Sequence, residues 1–339
     1  MTVQVLFKKK QANLIVSLTT YSSRIHTVHH TINSLLKQEL LPKKIILWLD
    51  EKEFTSDTIP DTLKAISSSI FEICYCANLR SYKKLIPTLE QYPNETIITV
   101  DDDFEYPATL VADLCKYSNF YPGHVVAARG RIINRVDNSV APYPSWTFIS
   151  QEHALSGEHC LIPIGYGGVL YPAGCFDNKI TDEDDFMSLA PNADDLWFKA
   201  MSWLNGTPVV VIPISCSIKM KTIDGTQESA LYLTHNAGDA NTEQMKALIN
   251  RFPALGHKLN SPDFYDCKSN IKFLLGQQQL IALGKEAKDK VVDIRNAALF
   301  LEQQQPGLAM QLLFLASKLK PEGAFIKEKL AALRSRLSK

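Results

Sequence analysis

Apolar runs of strand length alternate with amphipathic stretches over most of the chain. Leu14–Leu18 reads as a first strand, and Val28–Lys37 as a helix with Ile32, Leu35 and Leu36 on one face. Pro42 ends the connection that follows. Ile45–Leu49 is a second strand, closed by Asp50. A helix around Thr62–Ser68 leads to a third strand, Ile70–Tyr75, and Thr96–Val100 has the composition of a fourth, buried strand. Strands alternating with helices in this way predict parallel βαβ units and an α/β fold. The loops after successive strands of such a sheet gather on one edge, where ligands bind. Thr19–Arg24, Asp50, Asn78–Lys84 and Asp101–Asp103 are therefore expected to meet there.

Further along, Thr109–Tyr117 reads as a helix and His124–Ala128 as a strand running into Arg129-Gly130-Arg131. Asn192 suits the N-cap of a helix reaching Asn205, whose apolar face is Leu196, Ala200, Met201 and Leu204. Val209–Ile212 and Ile218–Met220 read as two more strands, and a helix follows from Thr242 to Arg251. From about Asn270 the strand signal disappears. The remainder reads as three or four amphipathic helices broken near Pro306 and Pro321, with Ala297–Leu319 loosely like one tetratricopeptide unit. The expected division is a catalytic-size domain over 1–265 and a helical domain over 270–339, suited to docking or oligomerisation.

Lys+Arg and Asp+Glu both number 36, so no basic excess points to a nucleic-acid partner. Charge matters locally instead. Lys318, Lys320, Lys327, Lys329, Arg334, Arg336 and Lys339 give the chain a basic amphipathic end, fit for an anionic membrane surface, a partner helix or simple solvation. The longest apolar runs are far short of the roughly 18 residues a membrane span needs. Met1–Lys10 has the wrong order for a signal peptide. The seven scattered cysteines argue against a disulfide scaffold and read as free thiols. Together these predict a cytoplasmic protein, able to sit peripherally at the inner face of the membrane.

The chemistry concentrates where the fourth strand ends, in Asp101-Asp102-Asp103. Three carboxylates there repel one another unless positive charge lies among them. A hard divalent cation, Mn²⁺ or Mg²⁺, is the natural partner of such oxygens, and one held by only one or two carboxylates keeps positions open for substrate phosphates. The alternative is a solvated acidic turn before Pro107. Arg80, Lys83 and Lys84 crowd the start of a helix, where either a bound diphosphate offsets their clash with the helix dipole or they form a basic solvated face. Gly165-Tyr166-Gly167-Gly168 allows close backbone approach or positive φ angles. The irregular, aromatic segment Pro142–Trp146 reads equally as an acceptor-sugar platform that includes Trp146 or as an exposed loop anchor. Asp194-Asp195 either suits its helix dipole or presents a general base. His235 is a candidate late metal ligand or phosphate contact, or a loop histidine with no special role. No G-x-G-x-x-G follows the first strand and no P-loop occurs.

Four stretches in their order and spacing carry a resemblance. They are Leu18-Thr19-Thr20-Tyr21 with Arg24; Lys83–Pro87 leading to Thr99–Asp103; Gly165–Pro172; and Ala190–Phe198. Over residues 12–255 the chain resembles bacterial glycosyltransferases of the GT-A fold that build surface polysaccharides such as capsule and lipopolysaccharide. That likeness implies a Rossmann-like, mostly parallel mixed sheet flanked by helices, with the C-terminal helices as an appendage outside it. It implies a nucleotide-diphosphate sugar as donor, UDP-linked sugars foremost, and a glycan or lipid-linked glycan as acceptor. Asp101 and Asp103 map onto the metal-binding Asp-x-Asp element, with Asp102 between. Thr19, Thr20, Tyr21, Arg24 and Asp50 would lie around the nucleotide, and Arg80, Lys83 or Lys84 would reach its phosphates. Asp195 maps to the catalytic base of inverting members and Asp194 to the neighbouring acid. Tyr166, Gly167, Gly168 and Trp146 are candidates for substrate contact. A nucleotidyltransferase acting on sugar phosphates is the rival enzyme, though no glycine- and lysine-rich phosphate loop follows the first strand. A non-catalytic glycan- or protein-binding module is the rival outside enzymology.

Overall fold

In the computed structural model the described residues are 10–151, 154–226 and 239–265, with 291, 294–295, 298–299, 309, 312–313, 316–317, 320 and 323–337 in the C-terminal part. The chain opens with β1 (Gln11–Thr19), α1 (Val28–Leu36), β2 (Leu41–Asp50), α2 (Asp61–Lys64), β3 (Phe71–Cys76), α3 (Ile86–Gln91) and β4 (Ile97–Thr99). Next come β5 (Phe104–Glu105), α4 (Leu110–Phe120), β6 (Val125–Ala127), β7 (Gly130–Ile132), β8 (Arg135–Val136), β9 (Ser139–Val140), β10 (Thr147–Phe148), β11 (Leu155–Gly157) and β12 (Leu161–Pro163). β13 (Val169–Tyr171), α5 (Glu183–Leu189), α6 (Asp194–Leu204), β14 (Val209–Val211) and β15 (Lys221–Thr222) precede helices at Ala240–Arg251, Pro253–Leu259 and Ala324–Leu337.

Eight strands form one mixed sheet in the order β11-β14-β6-β13-β4-β1-β2-β3. β3, β2, β1 and β4 are mutually parallel, and β14 is parallel to β6. β13 lies antiparallel between β4 and β6, and β11 is antiparallel at the edge. Side chains alternate across this sheet and divide into two cores. Leu14, Val16, Leu18, Ile98, Val126, Leu170 and Val210 face α1 and α4, whereas Ile97, Val125, Ala127, Val169 and Val209 face α6. Because β13 runs against its neighbours, it starts on the edge where β1, β2, β4 and β6 end. That one reversal brings Gly165–Gly168 beside Asp101–Asp103.

Several local expectations are corrected. Pro42 lies within β2 rather than before it, at a register shift against β1 and ahead of the pairing with β3 that begins at Ile45, so its missing N–H breaks no ladder on that side. The helix at Thr62–Ser68 shortens to Asp61–Lys64. Arg80–Lys84 is a separate 3₁₀ turn, because Pro87 in the first turn of α3 cannot continue an α-helix from Lys83. Ile218–Met220 is a turn, not a strand; the Ser217 hydroxyl closes it on the carbonyls of Ala128 and Ile214 and leaves Ile218 exposed. α6 is capped by Ala193, not Asn192. Cys74, Cys76, Cys115, Cys175 and Cys216 are free, but Cys160 is disulfide-bonded, against the expectation of free thiols.

In the C-terminal part, Val291, Ala298, Ala309, Leu312, Leu313, Ala316, Ile326 and Leu330 form an apolar cluster of their own. Among the described residues no helix is long and apolar enough to cross a membrane.

Candidate active site

The three aspartates do different work. Asp102 turns inward. It accepts from the Thr20 hydroxyl at 2.6 Å and from Arg24 Nη1 at 2.7 Å, while the Thr31 hydroxyl donates to its backbone carbonyl. Arg24 Nη1 also lies 3.1 Å from Asp103 Oδ2, and its Nη2 donates to the carbonyl of Thr226. Burial alone would lower the Arg24 pKa; Asp102 and Asp103 outweigh it and hold the guanidinium charged. Burial pushes the Asp102 carboxyl up, against Arg24 and Thr20. Asp101 is the one that faces outward, its side chain 32% exposed.

Lys84 joins this run to α6. Its Nζ lies 2.9 Å from Asp101 Oδ1 and 2.8 Å from Asp194 Oδ2, with the side chain almost fully buried. Burial opposes the charge on Lys84, but Asp101, Asp194 and Asp195 raise its pKa well above the ordinary value. Asp195 accepts from the Gly165 N–H through Oδ2 at 2.9 Å, and its Oδ1 is buried without a hydrogen-bond partner. Burial pushes the Asp195 pKa up to about 7; Lys84 and the Gly165 N–H pull against it, Asp194 and Asp101 with it. A carboxylate poised there can take a proton near neutral pH.

Glycine-rich geometry explains the close approach. A Cβ on Gly165 would lie 2.7 Å from Lys84 Nζ and 2.8 Å from Asp195 Oδ1. Gly168 has φ +91°, and a Cβ on Gly167 would strike Arg129. Gly167 and Gly168 are thus required by packing and backbone conformation, while Gly165 makes room for the charged cluster. Tyr106, which carried no sequence signal beyond its place three residues after Asp103, ties these parts together. It accepts from the Asp101 N–H at 3.0 Å and donates to the Tyr166 carbonyl at 2.9 Å.

Other expected residues are anchored by contacts of their own. The Thr19 hydroxyl donates to the Trp48 carbonyl, the Tyr21 ring lies 5.5 Å from the Arg24 guanidinium, and Asp50 accepts from the Lys52 N–H. Arg80, at φ +53°, reaches Asn192 Oδ1 and the Pro191 carbonyl ahead of α6. Lys83 is buried too, but its charge acts on Cys76, whose thiol burial pushes up to about 11. Trp146 is corrected: it is 2% exposed, its Nε1 donates to the Ala141 carbonyl, and it belongs to the core rather than to a platform. His235 lies outside the described residues. Among the described residues no three His, Cys, Asp or Glu side chains form a ready-made metal-ligand set.

No protein-family model and no curated protein matches this chain. Two solved structures of S. aureus TarS residues 1–349, one in complex with UDP, are similar at a TM-score of 0.44, with 14% and 15% identity, over 95% of this chain and 89% of theirs. A likeness of that size carries no argument about what this chain does.

Proposed function

We propose that the chain is a glycosyltransferase that moves a sugar from a nucleotide-diphosphate donor to a hydroxyl of a glycan acceptor, in the synthesis of bacterial surface polysaccharide. The observation that carries the reading is the Asp195 carboxylate. One oxygen is fixed by Gly165, the other is buried and unpartnered, and the pKa stands at about 7 at the edge where strands β1, β4 and β6 end. Asp195 removes the proton of the acceptor hydroxyl, which attacks the anomeric carbon from the side opposite the leaving diphosphate. One displacement of this kind inverts the configuration. Lys84 holds Asp194 and Asp101 in place and, with Arg24, supplies positive charge on the donor side.

Asp101, Asp102, Asp103, Asp194 and Asp195 outnumber Arg24 and Lys84 in this cluster. The surplus of hard oxygen donors fits Mn²⁺ or Mg²⁺, with Asp101 and Asp103 as the residues that would hold it. When bound, the ion would neutralise charge on the donor diphosphate. The helical segment 270–339, with its basic end, belongs to the same proposal as a docking or oligomerisation element.

The test is a thermal-shift screen of nucleoside diphosphates and nucleotide sugars with Mn²⁺, Mg²⁺ or EDTA, since a ligand of the folded state raises its melting temperature. A metal-dependent shift with one nucleotide family, lost in Asp101→Asn, is the expected result. No shift with any nucleotide in any condition would overturn the reading.

A further inference from the structure

Arg129-Gly130-Arg131 has no part in the reaction as described, yet its geometry is specific. β7 pairs with β10 on one side and β12 on the other. Strand alternation sends Arg129 and Arg131 to one face and Gly130 to the opposite one. A Cβ on Gly130 would lie 2.5 Å from Val211 Cγ2 and 2.9 Å from the Ile162 carbonyl, so that face is pressed onto the main sheet. On the open face, Arg131 stands directly across the strand pair from Phe148, which is 38% exposed. The Arg131 guanidinium lies 5.0 Å from the centroid of the Tyr143 ring, and that of Arg129 lies 5.8 Å from the Phe148 ring.

Among the described residues the two arginines are hydrogen-bonded only to backbone. Arg131 Nη1 donates to the Trp146 carbonyl and Arg129 Nη2 to the Ser217 carbonyl. Among the described residues neither has a carboxylate partner, and Arg129 Nε is buried with no acceptor. Arg129 packs directly against Gly167, two residues beyond the Gly165 whose N–H holds Asp195, which sets this face beside the carboxylate of α6. Burial raises the Tyr143 hydroxyl to about 12, with Asp195 adding to the rise and Arg131 opposing it; the Tyr166 hydroxyl, raised by burial, feels both arginines. Guanidinium groups stacked on aromatic rings and short of counter-charge match a planar or phosphate oxyanion, and the rings themselves suit sugar faces.

We propose that Arg129 and Arg131, walled by Tyr143, Tyr166 and Phe148, form the acceptor subsite and select a glycan or polyol acceptor that carries an oxyanion, a phosphodiester or a carboxylate, near the hydroxyl presented to Asp195. This rests on the glycosyltransferase reading. The arginines flank the site from β7 through the contact of Arg129 with Gly167, whereas the Asp101–Asp103 run enters it from the end of β4.

The test measures binding of three probes to the full chain by calorimetry: a glycerol-phosphate oligomer, trigalacturonate and neutral maltotriose. UDP is titrated in parallel. The wild type should bind one anionic probe about tenfold or more tightly than maltotriose, with the difference shrinking as salt rises. Whether the phosphate or the carboxylate probe wins identifies the oxyanion. Arg131→Gln and Arg129→Gln should each remove most of that preference, and Arg131→Lys should keep part of it, with UDP affinity unaltered. Equal affinity for all three probes, no binding of either anionic probe, or loss of UDP rather than probe binding in Arg131→Gln would each overturn the inference. An anionic preference that stands in a protein unable to bind any nucleotide would instead overturn the glycosyltransferase reading.

Discussion

The carboxylate of Asp195 is hydrogen-bonded to the backbone N–H of Gly165 at 2.9 Å through Oδ2, while Oδ1 is buried and has no partner. The two residues are 30 positions apart and come from different elements, the start of α6 and the run into β13. One oxygen is oriented by a main-chain donor that cannot rotate away. The other has no hydrogen-bond partner to hold it. Burial keeps the group from ionising as readily as a surface aspartate, and Lys84 keeps it from being neutral throughout the physiological range.

If Asp195 is the base, transfer needs its ionised form. With the pKa pushed up to about 7, the rate should fall about tenfold per pH unit below that value. An unperturbed aspartate would place the same limb near pH 4. The check is the pH profile of kcat at saturating donor and acceptor. A flat profile between about pH 5 and pH 8 would remove Asp195 from this role.

The same shift has a stability consequence of definite sign. The folded state keeps a proton on Asp195 up to about pH 7, whereas the unfolded chain gives it up near the ordinary aspartate value. The native state therefore binds more protons across that window, and its stability falls as pH rises through it. Asp195→Asn should melt higher than the wild type at about pH 8 and nearly level with it at about pH 4, while losing transfer and keeping nucleotide binding. Melting curves at the two pH values decide it, and a variant less stable at pH 8 would contradict the linkage.

How far the sequence foretold this site depends on the range of the contacts. Ile97–Val100 running into Asp101 marks a buried strand and the carboxylate run at its end, because strand length and β-propensity are local properties. The roles within the cluster were not local. Arg24 and Asp102 meet across 78 positions, and no spacing rule distinguishes Asp102, which is sealed inward, from Asp101, which faces out. Lys83 and Lys84 look alike as neighbours, yet only Lys84 leaves the 3₁₀ turn into ion pairs with Asp101 and Asp194. Trp146 misled because Pro142–Trp146 has no periodicity to show that its indole fills the core. The antiparallel insertion of β13, on which the whole approach of Gly165 depends, has no signature in hydrophobic pattern alone.

Gly165 and Gly167 should respond differently to the same substitution. In Gly165→Ala the new methyl meets the ends of two side chains, Lys84 Nζ and Asp195 Oδ1, which can move aside. Stability should change little, but displacing the base should lower kcat on the order of 100-fold. In Gly167→Ala the methyl meets Arg129 Cβ at 2.6 Å and Arg129 N at 2.9 Å, which cannot yield without shifting backbone. That variant should lose about 1–3 kcal/mol of stability by overpacking. Urea unfolding and steady-state kinetics on both proteins separate the cases, and an active, unaltered Gly165→Ala enzyme would show that the close approach has no catalytic purpose.

Arg24 tests whether the aspartate run is held together by charge before any ligand binds. Its side chain and those of Asp102 and Asp103 are each 10% exposed or less, so removing the cation leaves two carboxylates facing each other out of water. Arg24→Met should cost about 3–5 kcal/mol at neutral pH, the usual penalty for breaking a buried pair from one side. In that variant the Asp102 carboxyl, already pushed up by burial, rises further above its unfolded value, so the native state takes up a proton as pH falls and the deficit should shrink toward about pH 5. Arg24→Lys keeps a charge but loses the fork that also reaches the Thr226 carbonyl, and should fall between the two. Urea unfolding at about pH 5 and pH 8 measures all three proteins. A deficit for Arg24→Met that is equal at both pH values would mean that the loss is one of packing, and that Asp102 and Asp103 do not depend on Arg24 for their charge.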